Sequence, residues 1–195
     1  AMRGTIVILS LGLFLLGSAP ARAQRYLPAQ TGMQITAGQV DGLWFRNPKG
    51  ERLFHCGIAW SRYNENRTRW VVGADYLHKE YRYRTQLIPR SQFPIEGGYY
   101  VPFLSNRGKD LFLSAGLSAL AGYEVVNWGE TRLRDGASLR SGDGFIYGLV
   151  PALEAELFLS DRIVLLLNLR QRVLFGSDVG NFNTLAGFGI KFMID

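Results

Sequence analysis

The sequence predicts an all-β chain, an eight-stranded antiparallel up-and-down β-barrel of outer-membrane type. Three observations predict it. A removable export signal comes first. Eight segments of alternating hydrophobicity follow, and the connections between them run long, short, long, short. Each is justified below in chain order.

Met2-Arg3 supplies a short positive start, and residues 5–16 are an apolar run of signal-peptide length. Spanning a bilayer as a helix takes ~20 apolar residues, so this run is too short for an anchor. Ala21-Arg22-Ala23 completes an Ala-x-Ala site, which places cleavage between Ala23 and Gln24. Ala1 before Met2 reads as an added residue. No Cys follows Ala23 directly, so lipoprotein processing is not expected. The expected organisation is a signal peptide over 1–23, a periplasmic segment over 24–32 and a barrel domain over 33–195.

The mature chain would have 172 residues, enough for one domain. Without Arg3 and Arg22 it keeps 20 basic against 16 acidic residues, a mild net charge of +4. The bases are scattered, with no basic helix or nucleic-acid motif, so no direct nucleic-acid partner is expected. Cys56 is the only cysteine, which excludes an internal disulfide. His55 and His78 stand without other ligands at metal spacing, so no metal and no cofactor are expected.

Strands are predicted at 33–45, 53–63, 68–80, 93–104, 110–124, 144–159, 162–174 and 183–194. The seventh alternates most clearly. Ile163, Leu165, Leu167 and Leu169 share one face, and Val164, Leu166, Asn168, Arg170 and Arg172 share the other. The sixth answers it, with Leu149, Leu153, Ala155, Leu157 and Leu159 on one face and Glu154 and Glu156 on the opposite one. Two acids and two arginines on adjacent strands, all turned away from the apolar face, are expected to pair inside the barrel, because an unpaired buried charge costs several kcal/mol. Glu154, Glu156, Arg170 and Arg172 are therefore the candidate lumen charge network. The fifth strand places Ser114, Gly116, Ser118 and Gly122 on one side and Leu111, Leu113, Leu117 and Tyr123 on the other. Small residues inward suit a narrow barrel of ~8 strands.

The odd connections, 46–52, 81–92, 125–143 and 175–182, are longer than the even ones, 64–67, 105–109 and 160–161. Long outer loops and short periplasmic turns are the usual asymmetry of outer-membrane barrels, and both termini then lie in the periplasm. The ending Gly189, Phe192, Ile194 resembles the C-terminal signal read by barrel-assembly machinery, although the chain closes on Asp195. A soluble lipocalin-like barrel explains the alternation equally well, with Glu154, Glu156, Arg170 and Arg172 then facing water.

No catalytic constellation stands out, so an enzyme is not expected. Asp75, His78 and Ser91 lack triad spacing. A barrel-resident hydrolase would need a Ser/His pair near one rim, and only His55 and His78 are available. Tyr81-Arg82-Tyr83-Arg84, with Trp128, supplies the candidate outer-loop contacts. Trp60, Trp70, Trp128, Tyr99 and Tyr100 are candidates for interfacial girdles.

Several strings also resemble one known family. They are Gly38-Gln39-Val40-Asp41-Gly42, Ser91-Gln92-Phe93 with Glu96-Gly97-Gly98-Tyr99-Tyr100, Leu113-Ser114-Ala115-Gly116-Leu117-Ser118-Ala119-Leu120-Ala121-Gly122-Tyr123-Glu124 with Asn127-Trp128-Gly129, Asp161-Arg162-Ile163-Val164-Leu165 with Val173-Leu174-Phe175-Gly176-Ser177, and Gly187-Phe188-Gly189-Ile190-Lys191-Phe192. Together they resemble the conjugal transfer protein TraO family of conjugative transposons, over essentially the whole mature chain. Members often carry Gln-Arg-Cys-Leu-Pro at the mature N-terminus. Here Gln24-Arg25-Tyr26-Leu27-Pro28 has Tyr26 instead, which removes the basis for a cysteine-dependent crosslink there.

The resemblance implies a part in DNA transfer through a type IV secretion-like apparatus in the envelope. The other subunits of that machinery and outer-membrane lipid would be the partners, with no small-molecule substrate. An eight-stranded barrel is only wide enough for side chains, so an accessory or structural subunit is expected and not the DNA conduit. The alternatives are a general small outer-membrane barrel for adhesion or envelope stability, and the soluble ligand-binding barrel.

Overall fold

The computed structural model describes residues 29–41, 52–83, 86–108, 110–126, 144–175 and 181–194. The expected export signal, Tyr26, Arg84, Trp128 and most of the first, third and fourth odd connections lie outside these residues. Eight strands follow in order: β1 (Thr31–Val40), β2 (Leu53–Tyr63), β3 (Arg69–Tyr83), β4 (Gln86–Ser105), β5 (Leu111–Val126), β6 (Gly144–Phe158), β7 (Ile163–Phe175) and β8 (Phe182–Ile194). Each pairs antiparallel with its neighbours, and β1 closes on β8 from Thr31↔Ile194 to Val40↔Leu185. The ring is closed, so over the stretch where all eight strands pair, the backbone is bonded on both sides without water, which a spanning structure requires.

Both ends of the described chain lie at the same end of the barrel, with three short turns. Side chains and a left-handed residue shape them. In the first turn Asn64 N–H donates to the Thr68 carbonyl (2.8 Å), and Arg67 takes a positive φ of 62°. In the second, Asn106 Oδ1 accepts from the N–H groups of Asp110 (2.9 Å) and Leu111 (3.2 Å). In the third, Ser160 Oγ accepts from Arg162 (3.3 Å) and Ile163 (3.1 Å). These are the local bonds that Asn and Ser offer the backbone at turns.

The reading of 81–92 as a long connection is corrected. β3 and β4 stay paired through Glu80↔Pro89, Tyr81↔Ile88, Arg82↔Leu87 and Tyr83↔Gln86, which leaves only 84 and 85 between them. Pro89 lies past the last β5 partner, Val126↔Arg90, where β4 has no described neighbour on that side. Proline is tolerated at such an edge. β1 ends earlier than expected, at Val40, with Asp41 at φ 52°.

Polarity runs inside out. Met33, Ile35, Ile58, Ile95, Leu117, Leu153, Leu167 and Ile190 are exposed on the outer wall, while Arg69, Arg90, Arg172, Glu156 and Lys191 are buried in the lumen. A soluble barrel would do the reverse, so the lipocalin-like alternative is set aside. Exposed aromatics ring the wall at two levels. Near the turn end are Trp60, Trp70, Phe103 and Phe192, beside a half-buried Tyr99, and near the far end Phe93, Tyr123, Phe145, Tyr147, Phe175 and Phe182. On β4, Phe103 and Phe93 are ten residues apart. At ~3.3 Å per residue and ~45° tilt this spans about 23 Å, close to the ~25 Å apolar band of such barrels. Tyr100 belongs to neither ring: it points inward and is buried.

Apolar layers cap the lumen at both ends. Tyr63, Phe112, Phe158, Val164, Leu166 and Met193 close the turn end. Val40, Leu53, Leu77 and Leu185, with Leu120, Ile146, Val150 and Leu174, fill the far half. Backbones approach closely at Gly38, where an added Cβ would lie 2.1 Å from the Ala186 carbonyl and 2.7 Å from His55 Nε2. At outward Gly97 nothing lies within 4 Å of that position. Gly38→Ala is therefore expected to destabilise the barrel by about 1–3 kcal/mol through overpacking, and Gly97→Ala to leave it unchanged. Urea titration of the heat-sensitive gel shift in detergent measures both, and equal midpoints would contradict the packing at the β1–β8 seam.

Candidate functional site in the ion-paired lumen

Three charge clusters stack along the lumen, built from inward positions of six strands. Nearest the turn end, Arg69 on β3 bridges Glu154 (2.6 Å) and Glu156 (2.5 Å) on β6. Lys191 on β8 donates to Glu156 (2.5 Å) and to the Tyr63 hydroxyl (2.9 Å), which itself donates to Glu156 (2.7 Å). Arg69 also donates to Ser114 Oγ (3.3 Å), and its guanidinium lies 4.8 Å from the centre of the Tyr100 ring. Two cations thus face two anions, so the cluster is neutral.

The second cluster is neutral in the same way. Arg170 and Arg172 on β7 cross the lumen to Asp75 on β3 and Glu96 on β4. Arg170 reaches them at 2.7 and 3.1 Å, and Arg172 at 2.5 Å each. His55 Nδ1 lies 3.4 Å from Arg170 Nη2. In the third cluster, Glu124 on β5 accepts from Arg90 Nε (2.7 Å) and Gln92 Nε2 (2.6 Å) on β4. Paired and hydrogen-bonded charges of this kind avoid the penalty of an isolated buried ion.

Glu154, Glu156, Arg170 and Arg172 all point inward, but they do not pair with one another. Pairing between β6 and β7 sets Glu154 opposite Asn168 and Arg170 opposite Ala152, so the arginines lie farther along the barrel than the acids. Complementary charges reach each group from across the lumen instead. Arg69, Asp75, Arg90, Glu96, Glu124 and Lys191 escaped the sequence reading. Their signal is the strand period: Arg69 and Asp75 share one face of β3, and Arg90 and Glu96 one face of β4.

Between the first two clusters lies a polar cavity of about 30 Å³, lined by Gln34, Asp75, Glu96, Ser118, Glu154 and Asn168 among others. Gln34 Oε1 and Asn168 Oδ1 there lack partners among the described residues. The space suits a water molecule and nothing larger. Among the described residues no His, Cys, Asp and Glu come together as a metal site.

His78 and Ser91 do meet, opposite each other on β3 and β4 and facing outward, with Nδ1 3.4 Å from Oγ. Asp75 points into the lumen and takes no part. Tyr76 Oη lies 3.1 Å from Ser91 Oγ and 3.3 Å from His78 Nδ1, and Ser91 is only 3% exposed. The serine is covered and already engaged, with no open approach for a substrate. Tyr81, Arg82 and Tyr83 occupy the end of β3, not a loop.

Glu156 joins Arg69, Lys191 and the Tyr63 hydroxyl in the first cluster. Glu156→Gln leaves Arg69 and Lys191 facing one carboxylate and is expected to cost about 3–5 kcal/mol, as breaking a buried pair does. Denaturant unfolding of the folded detergent form measures it. A loss no larger than that of an exposed substitution would show that the cluster does not hold the strands.

Comparison with known proteins follows this geometry. Neisserial surface protein A superposes with a TM-score of 0.51 at 11% identity, over 84% of this chain and 95% of that one. Ail, the attachment invasion locus protein of Yersinia pestis, crystallised with the heparin analogue sucrose octasulfate, gives 0.53 at 12% identity, over 86% and 100%. At such identities the likeness is one of fold. No curated protein matches the sequence. The model of the family described as conjugative transposon protein TraO matches residues 27–194, and the chain belongs to that family.

Proposed function

We propose that this chain is an outer-membrane structural or accessory subunit of the conjugative DNA-transfer apparatus, a type IV secretion-like assembly, and neither its DNA conduit nor an enzyme. The observation that carries the reading is the filled lumen. Two neutral ion-pair clusters, the Arg90–Glu124 pair and apolar layers occupy the interior of the closed barrel. A strand of nucleic acid would have to displace all of them.

Family membership ties the chain to conjugative transposons, and the apolar wall with its aromatic rings supports an outer-membrane position. Met2 to Ala23 would direct export, and the turn end would face the periplasm with both termini. On this reading the partners are other subunits of the transfer machinery and the surrounding lipid, with no direct nucleic acid and no small-molecule substrate. Contacts run through the periplasmic turns and termini or through the outer surface around Tyr81, Arg82, Tyr83, Arg84 and Trp128.

Deletion of the coding sequence in a donor is expected to abolish transfer while detergent sensitivity of the envelope stays normal, and the wild-type chain supplied in trans is expected to restore transfer. Mating frequency and envelope leakage, measured together, decide the matter. Normal transfer with a leaky envelope would instead mark a general envelope barrel.

A further inference from the structure

A pocket of about 640 Å³ opens on the wall at the turn end, between the first turn and the neighbouring strands. Arg62, Asn64, Glu65, Thr68, Trp70 and Tyr99 are among the residues that line it. Pockets of ~300–1,000 Å³ take small ligands. Arg62 on β2 stands opposite Trp70 on β3, and Trp70 opposite Tyr99 on β4. The rings of Trp70 and Tyr99 lie 4.8 Å apart. The pocket thus sits at the level of the aromatic ring near the turn end, and such rings mark the depth of lipid headgroups.

Three groups in the pocket have bonding capacity left over. Arg62 is exposed and makes no hydrogen bond or ion pair among the described residues. The same holds for Glu65, so the two line one pocket without pairing with each other. Thr68 Oγ1 accepts from Tyr99 Oη (2.6 Å) and from Asn64 Nδ2 (3.1 Å). A hydroxyl has two lone pairs and one proton. Both lone pairs are engaged, so the proton remains for a ligand. Guanidinium and hydroxyl suit a phosphate, and a carboxylate suits an ammonium. Phosphate and ammonium joined over a short link are a phosphoethanolamine headgroup. Toward the middle of the apolar band the wall is notched beside the pocket. Val72 stands opposite Gly97, and nothing lies within 4 Å of where Gly97 would carry a Cβ.

We propose that this pocket holds one phospholipid of the periplasmic leaflet by a phosphoethanolamine headgroup. Arg62 and the Thr68 hydroxyl donate to the phosphate, Glu65 accepts from the ammonium, and one acyl chain lies in the notch over Gly97, flanked by the exposed Val72 and Ile95. Charge complementarity carries the choice of lipid. A phosphoglycerol headgroup has no cation for Glu65, and a trimethylated ammonium has no N–H to donate to it. The proposal rests on the membrane placement proposed above and names one lipid within it.

Native mass spectrometry of the full-length chain, released from outer membranes in mild detergent, tests it. Phosphatidylethanolamine, phosphatidylglycerol and phosphatidylcholine with identical acyl chains are added in turn. The wild-type chain is expected to retain one phosphatidylethanolamine about tenfold more strongly than either other lipid, the worth of one charged hydrogen bond. Arg62→Gln is expected to lose all three lipids, and Glu65→Gln to lose only the discrimination among them. Both positions are exposed, so neither change disturbs packing, and heat-modifiable migration on a gel checks that each variant is folded. Equal retention of the three lipids by the wild-type chain, which is an ordinary lipid annulus, overturns the proposal. So does unchanged retention in folded Arg62→Gln. Displacement of the lipid by free phosphoethanolamine also overturns it and assigns the pocket to a soluble phosphate compound. Absence of the heat-modifiable form from the outer-membrane fraction would overturn the membrane placement, separately from the lipid.

Discussion

Charge pairing in the lumen is the constraint on which the rest of the molecule depends. A barrel wall that meets hydrocarbon outside must turn its polar side chains inward, and a narrow eight-stranded interior has no bulk water to solvate them. Arg69, Arg170, Arg172 and Lys191 are therefore tolerable only with Asp75, Glu96, Glu154 and Glu156 in reach. Each pairing links strands that are not neighbours in the sheet, β3 to β6 and β7 to β4. The lumen thus ties together a wall that backbone bonds join only edge to edge. A slip of one residue in any strand would turn its charges to the lipid and its leucines inward, so the same pairs also hold the register.

Function follows from the same filling. A barrel filled by ion pairs and apolar layers can anchor, orient or brace neighbouring chains through its outer wall and its two ends. The covered His78–Ser91 pair fits this picture. Ser91 is enclosed, and its hydroxyl already lies against that of Tyr76.

Much of the fold was legible because half-buried strands write their environment every second residue. β6 and β7 alternate from end to end, so their inward and outward sets could be read directly. In the β3–β4 hairpin Pro89 and the polar Tyr-Arg alternation resemble a loop in sequence, whereas pairing past the end of β5 accommodates both. The inward phase of Tyr100 is hidden in the sequence because Gly97 and Gly98 give no apolar-polar contrast before it. The ion-pair partners were mistaken for a different reason. Sequence adjacency of β6 and β7 suggested that their charges meet, but the stagger of the strands carries Arg170 and Arg172 past the acids and toward β3 and β4. Such cross-lumen neighbours are set by the closed geometry and leave no mark in local sequence.

The central claim is that the lumen is sealed. The most direct measurement is the conductance of the purified, folded barrel in a planar lipid bilayer. The account predicts no steady current at any moderate voltage, because no continuous water path crosses the clusters. A steady, ion-selective current from single barrels would contradict it and would reopen the lumen as a pathway.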